Sequence, residues 1–140
     1  MRTVEITPDA VSVAAAAMPG DSPIYMVNLL RYRERAEYGG RTEFAPCSGR
    51  EAYYQRYVPV FRRLASPAGI KPFWLGAVRA ALVAPAGEQW DDVGIVEYPS
   101  FAAFRRVVES PEYLAEASPH RKAALEDWRL IATAKVDLPG

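Results

Sequence analysis

The sequence predicts an α+β domain with four strands and two helices in the order β-α-β-β-α-β, preceded by one additional helix. Three observations predict it. Apolar runs of strand length occur at 23–33, 70–84, 93–98 and 128–136. Between the first and second runs, and between the third and fourth, apolar residues recur at helical spacing. The junctions carry punctuation: Ser66-Pro67-Ala68-Gly69, Pro85-Ala86-Gly87 and Pro99-Ser100.

The 140 residues form one unit, with a core over 23–136 and an N-terminal helical extension over 7–18. The 17 basic and 17 acidic residues cancel, which leaves no basic footprint for nucleic acid or an anionic membrane. The single cysteine, Cys47, excludes an intrachain disulfide and fits a reducing compartment. The apolar run Ala10 to Met18 is too short to span a bilayer, and Glu5 and Asp9 make a poor leader, so a cytoplasmic protein is expected.

Taken in order, Thr7-Pro8-Asp9 starts the extension helix: a capping hydroxyl, a proline at the first helical position and an acid near the positive end. Met18-Pro19-Gly20 ends it. Ile24 to Leu30 is apolar except for Asn28, as in a central strand covered on both faces. The Asn28 amide must find partners there; it either ties down backbone or lines a pocket. Residues 34–49 form a long loop in which Cys47 has no neighbouring His, so it is not expected to be a nucleophile. In the helix over 50–64, Tyr53, Tyr57, Val60, Phe61 and Leu64 mark the buried stripe, and Pro59 predicts a kink in its last two turns. Ile70 to Ala84 is expected to be one strand, with Gly76 marking a bulge or a close approach. After a turn, Val93 to Tyr98 pairs back on it. Trp90-Asp91 sits at that boundary in a structural role, Trp90 covering the hairpin end and Asp91 bonding backbone. Ser100 caps a helix over 101–108, Ser110-Pro111 restarts it, Ser118-Pro119 begins a further turn through Asp127, and Trp128 to Val136 is the last strand.

That order is the split βαβ, or ferredoxin-like, plan, in which two helices cover one face of a four-stranded antiparallel sheet. The strands are apolar on both alternations, and no further helix is left for the second face. A second copy of the chain is the expected cover, giving a homodimer.

Val96-Glu97-Tyr98-Pro99-Ser100, Ser110-Pro111-Glu112-Tyr113, and Arg121 with Ala123-Ala124 resemble the pattern of an uncharacterised bacterial family of the dimeric α/β-barrel superfamily. Asn28-Leu29-Leu30-Arg31, Ser48-Gly49-Arg50-Glu51-Ala52-Tyr53 and Trp90-Asp91 resemble its longer branch, so the likeness covers roughly residues 23–136. It implies a homodimer with facing sheets and no established reaction. The superfamily includes muconolactone isomerase-like enzymes, cofactor-free monooxygenases of aromatic polyketides and stress-responsive barrel proteins. Moving any of those activities here would be analogy of fold.

No phosphate loop, nucleophile elbow or metal-ligand spacing occurs, and neither cofactor nor metal is expected. His120 is the default general base because its ordinary pKa lies near neutrality; the alternative is a solvent-facing His in a first helical turn. Glu97, on a strand, is the second candidate for proton transfer. Asn28, Arg31, Tyr54, Tyr57, Trp74 and Arg121 are candidate ligand contacts, with a structural ion pair as the alternative for Arg121. Asn28, Tyr54, Glu97 and Arg121, from four elements, are expected to converge on one cavity. Two functions follow. One is binding of a small oxygenated or aromatic metabolite with cofactor-free isomerase, cyclase or monooxygenase chemistry. The other is a non-catalytic dimeric ligand-binding or stress-related protein.

Overall fold

Along β1 (Ile24–Tyr32), Ile24, Met26, Asn28 and Leu30 are buried, while Tyr25, Val27, Leu29 and Arg31 are half-buried. This alternation describes the sheet: one face lies under helices and the other carries none. The structure is a computed structural model that describes residues 2–140. The chain adds β2 (Lys71–Ala77), β3 (Asp92–Tyr98) and β4 (Leu125–Thr133) to β1. The order across the four-stranded sheet is β2-β3-β1-β4. Every pairing is antiparallel, so the chain has the ferredoxin-like β-α-β-β-α-β arrangement.

Helix α1 (Pro8–Ala17) is capped by the Thr7 hydroxyl, which accepts from the Ala10 amide at 3.2 Å. Val11 is its one buried residue, and Ala14 and Ala15, partly buried, pack against the main core beside it. Helix α2 runs over residues 49–65. Ser48 caps it, with Glu51 returning a bond to the Ser48 amide at 2.9 Å. Gly49 is obligatory there. The Arg33 and Ala124 backbone carbonyls crowd the space where a Cβ would stand, and its own amide donates to Arg33 O at 3.0 Å. Helix α3 (Phe101–Val108) follows its Ser100 cap. Helix α4 comprises Tyr113–Ala117 and Ser118–Ala124.

The expected kink at Pro59 takes a different form. Ala52–Tyr57 is a π turn, and Pro59 stands just beyond it in Val58–Ala65. The same pairing recurs in α4, where the π turn Tyr113–Ala117 precedes Pro119. A proline supplies no amide and its ring collides with the carbonyl four residues back; a wider turn relieves both.

The end of β2 and both ends of β4 differ from expectation, β4 stopping at Thr133 and not Val136. β2 ends at Ala77 instead of continuing to Ala84. Beyond its partner Asp92, the chain turns toward β1: the Asp91 amide donates to Leu30 O at 2.7 Å, and Asp91 Oδ2 accepts from the Tyr32 amide at 2.9 Å. No ladder remains for residues 79–84, and Leu82 and Val83 stand almost wholly in solvent. β4 begins at Leu125, not Trp128, because α4 stops at Ala124 instead of reaching Asp127. Asp91 bonds backbone as expected, and Trp90 lies under the Arg129 guanidinium at 5.2 Å. Gly76 marks a close approach, its Cα lying under the Trp74 indole, while the bulge itself falls at Phe73.

Candidate functional site

The helix-covered face alternates along β3 as it does along β1: Asp92, Gly94, Val96 and Tyr98 pair with Leu30, Asn28, Met26 and Ile24. Gly94 has no side chain, so the sheet opens a space opposite Asn28. Above that space the π turn of α2 places Tyr53, Tyr54 and Tyr57 in sequence, and α4 adds Tyr113. The result is a cavity of about 410 Å³ between helices and sheet. That is the size of a small-molecule site. Tyr98 and Trp128 complete its aromatic wall.

Asn28 forms part of the floor, and its hydrogen bonds are structural. The Trp128 indole Nε1 donates to its Oδ1 at 3.0 Å, and its Nδ2 donates to Gly94 O at 3.3 Å and Met26 O at 3.4 Å. The amide thus ties β4 to β1 and β1 to β3. An apolar residue there would strand the indole N–H.

At one edge of the cavity lies a buried carboxylate. Asp92 Oδ2 accepts from Tyr32 Oη at 2.7 Å, from Arg50 Nη1 at 3.0 Å and from Tyr54 Oη. Arg50 also lies over the Tyr32 ring at 4.7 Å. Burial works against the Asp92 charge, but the bonds from Tyr54 and Tyr32 and the Arg50 charge outweigh it and hold the carboxyl below its ordinary range. Burial and the bond to Asp92 push the Tyr54 phenol up, so it stays protonated at neutral pH. At the opposite edge, Arg121 Nη1 donates to Tyr113 Oη at 2.5 Å, and Tyr113 Oη lies 2.8 Å from Tyr57 Oη.

The expected residues divide accordingly. Asn28, Tyr54, Tyr57 and Trp74 line the cavity. Arg121 reaches it through Tyr113. Arg31 stands at the end of β1 on the uncovered face, and Glu97 stands on that face too, opposite Tyr25 and 3.5 Å from Lys71 Nζ. The expected convergence of Asn28 and Glu97 therefore does not occur, because alternation sends their side chains to opposite sides of the sheet. His120 lies outside the cavity too: its Nδ1 is 2.7 Å from Tyr38 Oη, and Phe44 packs on its ring. Burial, then the Arg56 and Arg41 charges, pull its pKa below the ordinary value, so the imidazole is neutral at pH 7.

Sequence reasoning missed Asp92, Tyr32, Arg50, Tyr98 and Tyr113. For Asp92 and Tyr98 a signal existed: both share the alternation of Gly94 and Val96. Among the described residues, no group of three or more His, Cys, Asp or Glu is placed to hold a metal. Among the described residues, no helix is long and apolar enough to cross a membrane either.

No family model and no curated protein matches the chain. Solved structures do. The RPA0582 protein of unknown function from Rhodopseudomonas palustris is 37% identical, covering 99% of this chain and 100% of its own, with a TM-score of 0.80. Hydroxynitrile lyase from Passiflora edulis is 15% identical over 85% of this chain and 99% of its own, TM-score 0.54. A dabb family protein with a ferredoxin-like fold from Mesorhizobium loti is 11% identical over 82% of this chain and 98% of its own, TM-score 0.51. The last two share the fold alone.

Proposed function

This chain belongs to the family of the RPA0582 protein, and from that premise we propose that it is a homodimer that binds a small aromatic or oxygenated molecule in the cavity under α2. One observation carries the reading: an aromatic cavity of about 410 Å³ into which polar groups from different elements converge, Asn28 from β1, Tyr54 and Tyr57 from α2, Tyr113 from α4. A filled core would leave no such space. The unpartnered Cys47 suits a reducing compartment, and we place the protein in the cytoplasm.

The uncovered sheet face supports the dimer. Val27, Leu29, Val93, Ile95 and Ile131 stand on it together, an apolar surface that water would otherwise cover. A second copy presenting the same face is self-complementary under a twofold axis. Sedimentation at micromolar concentration should give a dimer, and Ile95→Glu should give a folded monomer. A monomeric parent protein sinks this part of the proposal.

For the cavity, small aromatic compounds should raise the melting temperature and change tryptophan emission, since Trp128 lines the wall. If no compound in a panel of one- and two-ring aromatics does either, the binding reading is lost.

A second reading, proton transfer without a cofactor, draws on Tyr54, which lines the cavity and donates to Asp92. A phenol held on a carboxylate stands where a proton passes to a bound oxygen, as isomerase, cyclase or cofactor-free oxygenase chemistry requires. Tyr54 would take a proton from the bound molecule as its own passes to Asp92, and the reverse transfer would return a proton to it. Glu97 and His120 have no part in this reading because neither lines the cavity. Solvent deuterium entering a small aromatic ketone in the presence of the protein, and not with Tyr54→Phe, is the expected sign. No incorporation across a series of such ketones ends the second reading and leaves the first.

A further inference from the structure

Arg121 is a buried cation without a buried anion. It is 3% exposed, and among the described residues no carboxylate lies within ion-pair distance of it. Its Nε has no hydrogen-bond partner. Its guanidinium lies over the Trp128 ring at 4.8 Å and the Tyr113 ring at 5.7 Å, and its one hydrogen bond goes to the Tyr113 hydroxyl. A guanidinium only donates and is never neutral in a protein, so the sense of that bond is fixed. The carboxylate that interacts with it electrostatically, Glu5, is exposed and lies 3.5 Å from Lys122 Nζ; a buried charge is costly, and a closer counter-charge offsets that cost.

The hydroxyls beyond it have a proton to spare. Tyr113 Oη accepts from Arg121. Tyr57 and Tyr113 together carry two hydroxyl protons and share one bond between them. Whichever of the two donates in that bond, the other proton has no acceptor among the described residues, and both phenols line the cavity. Buried phenols ordinarily find a partner. Tyr53 and Tyr98 line the same wall with no hydrogen bond to any described residue. Arg62 adds a positive charge to the lining, while Lys71, also on it, is paired with Glu97 at 3.5 Å.

We infer that the cavity takes a ligand with an apolar, ring-bearing body and an oxyanion, a carboxylate in the simplest case, whose oxygen accepts from the Tyr57–Tyr113 pair with the Arg121 charge behind it. This rests on the proposed small-molecule cavity and specifies the chemical class of its occupant. The unused phenol proton at that wall suits an acceptor oxygen; a cationic ligand would meet the like charge of Arg121 there, and Asp92 at the opposite edge is already engaged by Tyr32, Tyr54 and Arg50. Arg121 is a positioning residue, since it touches Tyr113 and acts through it.

The test uses 2-naphthoate, its carboxamide and 2-naphthylmethylamine, titrated calorimetrically into the full chain. Naphthoate should bind at least ten-fold more tightly than the carboxamide, and the amine should not compete with it. Tyr113→Phe and Arg121→Met should each shrink the preference for naphthoate over the carboxamide to less than three-fold while the carboxamide affinity holds. If Arg121→Met fails to fold, Tyr113→Phe and Tyr57→Phe, which keep the ring packing, decide alone. Equal binding of naphthoate and carboxamide, or a preference that survives Tyr113→Phe, overturns this inference and leaves the cavity reading standing. No binding by any of the three overturns both.

Discussion

Asp92 and Glu97 stand at the two ends of β3, an odd number of residues apart, and alternation gives them different surroundings. The Asp92 side chain is 4% exposed and holds two phenols and a guanidinium; that of Glu97 is 23% exposed and faces one lysine at 3.5 Å. Charge and strand are common to both. The difference lies in what the neighbouring elements bring. α2 passes over the Asp92 face and delivers Tyr54 and Arg50, while no element of this chain passes over Glu97. A carboxylate under a helix thus becomes a fixed anchor for the cavity wall, and one on the uncovered face remains a simple surface partner.

The sharpest way to break this comparison is Asp92→Asn. Hydrogen bonds to a charged acceptor contribute about 1.5–3 kcal/mol each, and partial rescue by the amide oxygen keeps the expected loss at roughly 2–3 kcal/mol by chemical denaturation. A loss under about 0.5 kcal/mol would make Asp92 no anchor at all. Asn28→Leu comes next. It strands the Trp128 indole N–H and should cost about 1–2 kcal/mol, read from the same denaturation midpoint at unchanged slope.

Acid sharpens the contrast further. The unfolded Asp92 carboxyl takes up its proton near pH 3.9, approximately the model-peptide value, while the folded one does so only lower. Between those values the unfolded chain binds the extra proton, so stability rises with pH there. The contribution is complete above about pH 4 and is lost as pH falls through the folded value. Stability measured from pH 6 downward should therefore fall less steeply in Asp92→Asn, the two curves converging as pH falls through the folded value. Parallel curves would refute the depressed carboxyl. The smallest effect belongs to Glu97→Gln, about 0–1 kcal/mol when read in the Ile95→Glu monomer, where the lysine pair stays at the surface.

The fold was legible because it rests on local patterns: the apolar run along 24–30, the caps at Thr7, Ser48 and Ser100, and helical spacing of Tyr53 and Tyr57. The cavity was legible only in part. Tyr57 announces itself by helical spacing, with Tyr54 beside the stripe, but whether Asn28 and Glu97 meet depends on which parity faces the helices. That parity is settled by register across β1 and β3, a long-range property no single stretch encodes. Asp92 was hidden for a related reason. Beside Trp90 and Asp91 it looks like part of a polar turn, and its burial follows from Arg50 and Tyr54 arriving from about forty residues away. The length of β2 was misread because Val78 to Val83 has strand composition. Composition cannot reveal that Asp91 has already turned to bond β1.

The two π turns bear on how this protein tolerates engineering. A designer seeking heat resistance would replace Pro59 or Pro119 with alanine, or delete one residue from Ala52–Tyr57, to recover a regular helix. Each residue of an α-helix advances the side chains by about 100°, so closing the wide turn rotates everything on one side of it against the other. Tyr53 and Tyr54 would then leave the wall that Tyr57 shares with Tyr113. The irregular helix works as a gauge block: its extra width sets the angular offset between aromatic rings, and a more regular backbone would be a tougher protein with a differently shaped interior.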